Sequence, residues 1–397
     1  MIIEFLLFAI AFIILSTLAD LVMAQIRIPY WKRRIAELGI PEDPSEFVKK
    51  FYPEGEISAD IEAVGDALAS IFPIESDVTL TVPQLEACIS YILTLPVGPI
   101  VPPKYIGSAD ETLVDLMRPY LSFAKSAEKL VQSGAVQGDS IRQCLLALQR
   151  LLDVYRETPF TFARIVEYRT LLAYGRIFAV GIQRTDFRDE GFSETLVWLS
   201  DVKWDWYLER MVLSEISLSY YYSGQKLAKD SYERGMLSLA KSRRTRLMRL
   251  SFWVRYHMPW TVPVYVAAYL EKFFKTLEVA RRGGYHVTFK EVTRAFNRTR
   301  NPFSLFTPLI NERRSREIIF RSFEMHKSRR DFYLWLRETL EALKTRLPEE
   351  IDRSSEFSRI LVRREGGLIR SQFTFLSHIA GPVQIEVSWP VESPPIV

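Results

Sequence analysis

The chain has little of what metal centres and disulfide frameworks need. Its 397 residues include two cysteines and four histidines. Cys88 and Cys144 could form one disulfide at most, and both lie in apolar stretches with helical spacing. We therefore predict that they are buried free thiols, which behave as small hydrophobic side chains. The histidines stand in separate segments with no pair at ligand spacing, so the sequence predicts no metal site.

The short motifs of the common enzyme classes are also missing. The sequence contains no P-loop, no glycine-rich dinucleotide fingerprint, no His-Glu-x-x-His helix, no Cys-x-x-Cys pair and no Gly-x-Ser-x-Gly elbow. No zinc-ligand spacing or RNA-binding aromatic motif accompanies its basic residues, which disfavours nucleic acid as a partner. The sequence thus indicates no cofactor and leans against an enzyme.

The strongest positive feature is an apolar run at residues 2–24, IIEFLLFAIAFIILSTLADLVMA. About 20 apolar residues in a helix cross a hydrocarbon core of about 30 Å, so this run predicts a transmembrane anchor over residues 1–26. A cleaved signal peptide is the alternative, although no Lys or Arg precedes the run. Basic and aromatic side chains follow it, as expected at a membrane boundary. These flanking residues are Arg27, Tyr30, Trp31, Lys32, Arg33 and Arg34.

The side of the membrane that holds the body stays open. The basic flank follows the span, and positive charge accumulates on the cytoplasmic side, which favours a cytoplasmic body. Long domains cross membranes largely regardless of charge, so an exoplasmic or periplasmic body remains the alternative.

The rest of the chain reads as mainly α, with a small antiparallel β meander at the C-terminus. We predict a collar and linker with short helices at 27–107, an acidic helical domain at 108–225, a basic helical domain at 226–346 and a β tail at 347–397. Helical spacing is found at residues 58–72, 83–95, 109–133, 138–157, 160–183, 191–222, 226–256, 262–282 and 309–346. The tail predicts three strands, at 357–362, 368–375 and 383–389.

Charge divides the body sharply. Residues 1–225 carry a net charge of −10 and residues 226–346 a net charge of +16. Arginine outnumbers lysine by 37 to 15, which suits planar pairing with carboxylates or phosphates. The direct interpretation is that basic helices pack against the acidic half of the same chain or of a neighbouring copy.

The basic segment at residues 241–260 allows a sharper interpretation. Its basic residues lead into an aromatic, apolar stretch, which is the pattern of a helix lying on an anionic membrane surface. A core helix with a solvated basic end is the alternative. The residues of this candidate basic interface are Lys241, Arg243, Arg244, Arg246, Arg249, Trp253 and Trp260.

A candidate acidic interface lies upstream. Asp201, Asp205 and Glu209 recur every four residues and so share one helical face. Such a face could bind a cation, act in acid–base catalysis as an envelope enzyme, or meet an arginine-rich surface. The excess of arginine favours the last.

The order of these features resembles a group of bacterial membrane-anchored helical proteins with no established activity. The resemblance rests on RRIAELGIPEDPSEF after the anchor, on CLLALQRLLDVYRETPFTFARIVEYRTLL, on the Trp-rich acidic helix and on NPFSLFTPLI before a long basic helix. It implies a single-pass architecture, an envelope location and a body outside the cytoplasm. From the anchor, the charge division and the missing enzyme motifs, we expect a non-enzymatic helical module that contacts the bilayer and assembles with itself or with membrane-complex subunits.

Overall fold

The computed structural model describes most of the helical body and the C-terminal sheet. The described residues are 2–41, 46, 50, 67–68, 70–71, 79–95, 109–157, 161–183, 194–199, 207–223, 253–254, 256–283, 286–297, 312–345, 350–376 and 382–390.

Within these residues the chain is mainly helical, as predicted. The helices are α1 (Ile2–Glu37), α2 (Val82–Thr94), α3 (Ala109–Gln132), α4 (Asp139–Glu157), α5 (Thr161–Ile182), α6 (Tyr207–Ser223), α7 (Val262–Gly283), α8 (Phe289–Asn297) and α9 (Glu312–Thr345). A 3₁₀ turn, Pro259–Thr261, leads into α7.

α8 is a helix that was not predicted from the sequence. The helix starts at a reciprocal capping box, in which the Thr288 backbone N–H donates to Glu291 Oε2 at 2.8 Å and the Glu291 N–H donates to Thr288 Oγ1 at 3.3 Å. Its apolar side chains Phe289, Val292 and Phe296 recur at helical spacing. The signal was present but short, since α8 has nine residues.

The C-terminal meander has four strands rather than the three predicted. The strands β1 (Ile351–Ser354), β2 (Ser358–Glu365), β3 (Leu368–Phe375) and β4 (Val383–Pro390) pair in chain order, each antiparallel to the next. β1 was missed because its four residues are mostly exposed and do not alternate between apolar and polar. Gly366 and Gly367 both have positive φ and close the β2–β3 hairpin.

The chain divides into two compact units. Unit 1 comprises Met1–Pro53, Pro102–Val114 and Trp206–Phe320, and unit 2 comprises Glu54–Val101, Asp115–Asp205 and Arg321–Val397.

Unit 2 builds its core between helices and one face of the sheet. α2 packs on α4, α4 on α5, and α5 on β4. From α9, Phe332 and Trp335 contact the ring of Phe373 on β3, and Trp335 Nε1 donates to Ser371 Oγ at 2.8 Å. α5 approaches closely because Gly175 lacks a side chain: a Cβ there would lie 2.7 Å from Ile385 Cδ1.

Both cysteines lie in unit 2 and are buried free thiols, which confirms the prediction. Burial raises the pKa of Cys88 to about 12. The pKa of Cys144 is also raised to about 12, first by burial and then by the charge of Glu86. Neither thiol is therefore a thiolate nucleophile at neutral pH.

Unit 1 is arranged around α7, which packs against α1, α6 and α8. α8 contributes Phe289 and Phe296, whose rings meet Phe320 edge-on with centroids 5.0 and 5.8 Å away. Lys272 of α7 is buried with its Nζ 4.6 Å from the centroid of Phe296, a cation–π contact. Among the described elements, α7 is thus the main packing partner of the N-terminal helix.

Candidate functional site: the anchor helix and its contacts

The first part of α1 is an apolar helix whose sides are not covered by the described chain. Among the described residues, α1 is the helix long and apolar enough to cross a membrane, and none of its most apolar window is buried. A core helix of this composition would be buried. From Ile3 to Ala24 the helix rises about 32 Å, which matches a hydrocarbon core of about 30 Å. Exposed large apolar side chains along it are Ile3, Phe5, Leu6, Leu7, Phe8, Ile10, Phe12, Ile14, Leu15, Leu18, Val22, Met23 and Ile26.

The second part of α1 packs on α7 through a charged and an aromatic contact. Arg27 Nη1 donates to Glu271 Oε2 at 2.6 Å. The Trp31 ring stacks on Phe274 with a centroid distance of 4.7 Å and an interplanar angle of 14°. Arg27 is 44 % exposed, so the ion pair contributes about 0–1 kcal/mol. The aromatic stack adds about 0.5–1.5 kcal/mol beyond the area that it buries.

These contacts show that α1 and α7 run parallel. Arg27 meets Glu271 and Trp31 meets Phe274, so residue numbers rise together along both helices. Extrapolated backwards, this register brings the first turns of α7 beside Ala24. The start of α7 therefore lies where the apolar run of α1 ends.

A small apolar core confirms that juxtaposition, and we name it the collar cluster. Four residues in it are buried: Ala24, Val254, Val264 and Ala267. Leu21, Ile28 and Met258 are among the partly buried side chains packed against them. The collar cluster thus joins α1 both to α7 and to the residues that precede α7.

Those preceding residues, 253–254 and 256–261, are called the pre-α7 segment below. Val254 and Met258 point into the collar cluster, and the Met258 N–H donates to the Val254 carbonyl at 2.7 Å. Trp253 and Trp260 instead remain 41 % and 51 % exposed. The His257 ring packs against Trp253, with centroids 4.8 Å apart. Two large indoles therefore stand exposed beside the end of the apolar run.

The other flanking residues of α1 take varied positions. Tyr30 is exposed and meets Trp31 edge-on, with centroids 4.8 Å apart. Lys32 Nζ lies 5.8 Å from the centroid of Tyr220, and Arg33 is exposed. Arg34 pairs with Glu37 at 3.6 Å. Glu271 and Phe274 could not be identified from the sequence as the partners of Arg27 and Trp31. Their spacing shows that they share a face of α7, but it does not show which helix packs on that face.

The candidate charged interfaces are only partly described. Asp201 and Asp205 lie outside the described residues, and so do the five basic residues from Lys241 to Arg249. Glu209 lies in the first turn of α6 and accepts a hydrogen bond from Arg281 Nε of α7 at 2.7 Å. In unit 1, then, this carboxylate meets an arginine from the basic half of the chain.

Unit 2 contains a separate group of buried charges. Glu167 on α5 is fully buried and accepts hydrogen bonds from Arg164 Nη1 at 2.6 Å and from Arg329 Nη1 at 3.1 Å. Arg164 also donates to the Tyr155 carbonyl. Because both guanidinium groups are themselves buried, the carboxylate is engaged on both oxygens and tied into the core. This arrangement joins α5 to α9.

His326 lies in the same part of unit 2. Burial lowers its pKa well below 6.5, and the positive charges of Arg329, Arg164 and Lys327 lower it further. The histidine is therefore neutral in the folded chain at neutral pH.

Within the described part of the chain, no group of three or more His, Cys, Asp or Glu side chains is arranged to hold a metal ion. Comparison of the chain with protein-family models, with curated protein sequences and with solved structures finds no significant match.

Proposed function

We propose that this chain is a single-pass membrane protein whose helical body is a non-enzymatic module for assembly within a membrane complex. One observation carries the proposal: α1 is a single helix whose apolar part is uncovered and whose following part is packed onto α7. The helix that would sit in lipid is thus continuous with the core of unit 1.

This continuity has a mechanical consequence. A flexible linker after an anchor lets the body take many orientations. Here α1 continues as one helix to Glu37, with Pro29 inside it removing one backbone hydrogen bond. The collar cluster, the Arg27–Glu271 pair and the Trp31–Phe274 stack fix the helix to α7 on both sides of that proline. Unit 1 is therefore held at one angle to the bilayer. A fixed angle suits a protein that presents a defined surface to neighbouring membrane subunits.

The partners we propose are further copies of the chain or other subunits of a membrane complex. Support comes from the charge division of −10 and +16 between the two sequence regions. The Glu209–Arg281 pair shows that acidic and basic regions do meet within unit 1. The acidic region of one copy of the chain and the basic region of another can pair through the same charge complementarity.

We also propose a cytoplasmic body. The four basic residues of the flank, Arg27, Lys32, Arg33 and Arg34, all follow the apolar run, and positive charge is retained on the cytoplasmic side. The family resemblance favours the opposite side, so protease added to intact spheroplasts decides between them. Protection of the body is expected, and its digestion would place the body outside.

Membrane extraction and assembly are tested on the same preparation. The full chain should stay in membranes through an alkaline carbonate wash and enter solution only with detergent. Purified in mild detergent, it should migrate as an oligomer or with partners of fixed stoichiometry, measured by native mass spectrometry. Release by carbonate would refute the anchor, and a bare monomer at all concentrations would refute the assembly role.

A further inference from the structure

We propose that the pre-α7 segment is a second membrane contact, in which Trp253 and Trp260 lie in the headgroup region of the bilayer that α1 crosses. The inference rests on the proposed function in one respect: it requires that the apolar part of α1 lies in lipid.

The pre-α7 segment lies beside the end of the apolar run of α1. Val254 and Met258 belong to the collar cluster with Leu21 and Ala24. The apolar run of α1 ends at Ala24, and Arg27 is the first basic residue after it. The pre-α7 segment therefore lies at the depth where hydrocarbon gives way to headgroups.

The segment leaves both of its tryptophan side chains partly uncovered. It packs a buried valine and a partly buried methionine against α1 and exposes two tryptophans. Indole rings are enriched at membrane–water boundaries, because each combines a large apolar body with one N–H donor. A soluble surface gains nothing from exposing two of them within eight residues. At the lipid boundary both rings have a favourable environment.

The exposed apolar surface of α1 extends from the span to the side of the segment. Val22, Met23 and Ile26 of α1 expose 57 %, 45 % and 63 % of their surface beside the collar cluster. Their apolar surface is continuous along the helix with that of the span. Five basic residues, from Lys241 to Arg249, precede the segment in sequence. Their charge complements anionic headgroups.

The geometry also explains why the contact needs no apolar stretch long enough to span. The segment reaches the bilayer from the side, and α7 leaves it parallel to the second part of α1. An interfacial element buries its apolar face about 5–10 Å into the boundary. The contact would add a second fixed point beside α1, which prevents unit 1 from rotating about the helix axis.

The test places a nitroxide label at chosen positions of the full chain, reconstituted in vesicles of equimolar phosphatidylcholine and phosphatidylglycerol. The label positions are Trp253→Cys and Trp260→Cys, with Leu18→Cys as the reference within the span and Arg282→Cys as the aqueous reference. Arg282 is 80 % exposed at the far end of α7, within the same unit. The native Cys88 and Cys144 are buried, and the unsubstituted chain gives their background labelling.

Collision with oxygen reports lipid, and collision with a water-soluble nickel chelate reports water. We expect labels at 253 and 260 to favour oxygen, between the values at 18 and 282. If label 18 reports lipid while labels 253 and 260 match label 282, the inference is wrong and the anchor stands. Labels at 253 and 260 shielded from both reagents would mean a protein covers the segment, which also overturns it. If the label at residue 18 itself reports water, the transmembrane anchor is refuted, and the proposed function fails together with the inference that rests on it.

Discussion

Replacing Glu167 with glutamine should destabilise unit 2 strongly. The substitution keeps the shape of the side chain and removes its charge, while both contacting guanidinium groups stay in place. Glu167 is fully buried, and Arg164 and Arg329 are nearly so. Breaking a buried ion pair by removing one partner costs about 3–5 kcal/mol, because the remaining charge keeps its desolvation penalty. Here two cations lose the same carboxylate.

That loss is large enough to measure as a melting temperature. For a body of about 150–250 residues, each kcal/mol lowers the melting temperature by about 2–4 °C, so we expect a fall of about 6–20 °C. The full chain in mild detergent is heated while tryptophan fluorescence is recorded. The matched control is Glu128→Gln, since Glu128 accepts from Arg176 Nη1 at 2.6 Å in the same unit but at a partly exposed site. That pair should contribute about 0–1 kcal/mol.

A double variant tests the cause. If uncompensated charge dominates, Glu167→Gln combined with Arg329→Met should lose less stability than the two single variants added together, because one buried cation has gone. The reasoning is refuted if Glu167→Gln melts like Glu128→Gln, or if the double variant shows simple additivity.

Three further predictions concern pH, packing and the anchor. Below pH 6.5 His326 is protonated in the unfolded chain, while the buried residue stays neutral in the folded chain. The free energy of unfolding should therefore fall as the pH is lowered, by up to about 1.4 kcal/mol per pH unit. His326→Gln should remove this pH-dependent component of the unfolding free energy, measured by urea titrations between about pH 5 and pH 7, a range that includes the ordinary histidine pKa. Gly175→Val should lower stability by about 1–3 kcal/mol in thermal melts, because the new side chain overlaps Ile385; an unchanged melt would contradict the packing. Removing residues 1–20 should leave a body that melts like the full chain, whereas removing residues 1–26 also takes away part of the collar cluster and should lower the melting temperature.

Local signals predicted most of the secondary structure. The spacing at 262–282 predicted α7, which ends at Gly283, and the spacing at 309–346 predicted α9. Apolar periodicity is long in these helices and Pro or Gly residues bound it, so the ends are marked. Short elements fared worse: α8 and β1 were missed because a few residues carry too little periodicity to be distinguished from loops.

Contacts between distant residues could not be predicted. The sequence assigned Arg27 to the membrane flank by charge alone, yet its guanidinium pairs with Glu271, 244 residues away. The same holds for Trp31, whose ring stacks on Phe274 instead of standing free at a boundary. A sequence shows that a side chain is basic or aromatic, but its partner depends on how helices pack in three dimensions.

Two independent properties of α1 change at Ala24. The apolar run ends there, and Ala24 is also the first buried residue of the helix: it is 2 % exposed, whereas the earlier residues whose burial is described are exposed or half-buried. An apolar helix needs a cover that is either lipid or protein, because water is unfavourable for both halves. The described chain covers one side of α1 from Leu21 to Ile28, through the collar cluster, and leaves the most apolar window of the helix uncovered. The end of the apolar run and the first buried residue thus coincide at Ala24, as we expect if the bilayer ends beside the collar cluster. The exposed indoles of the pre-α7 segment would then lie at the same membrane boundary.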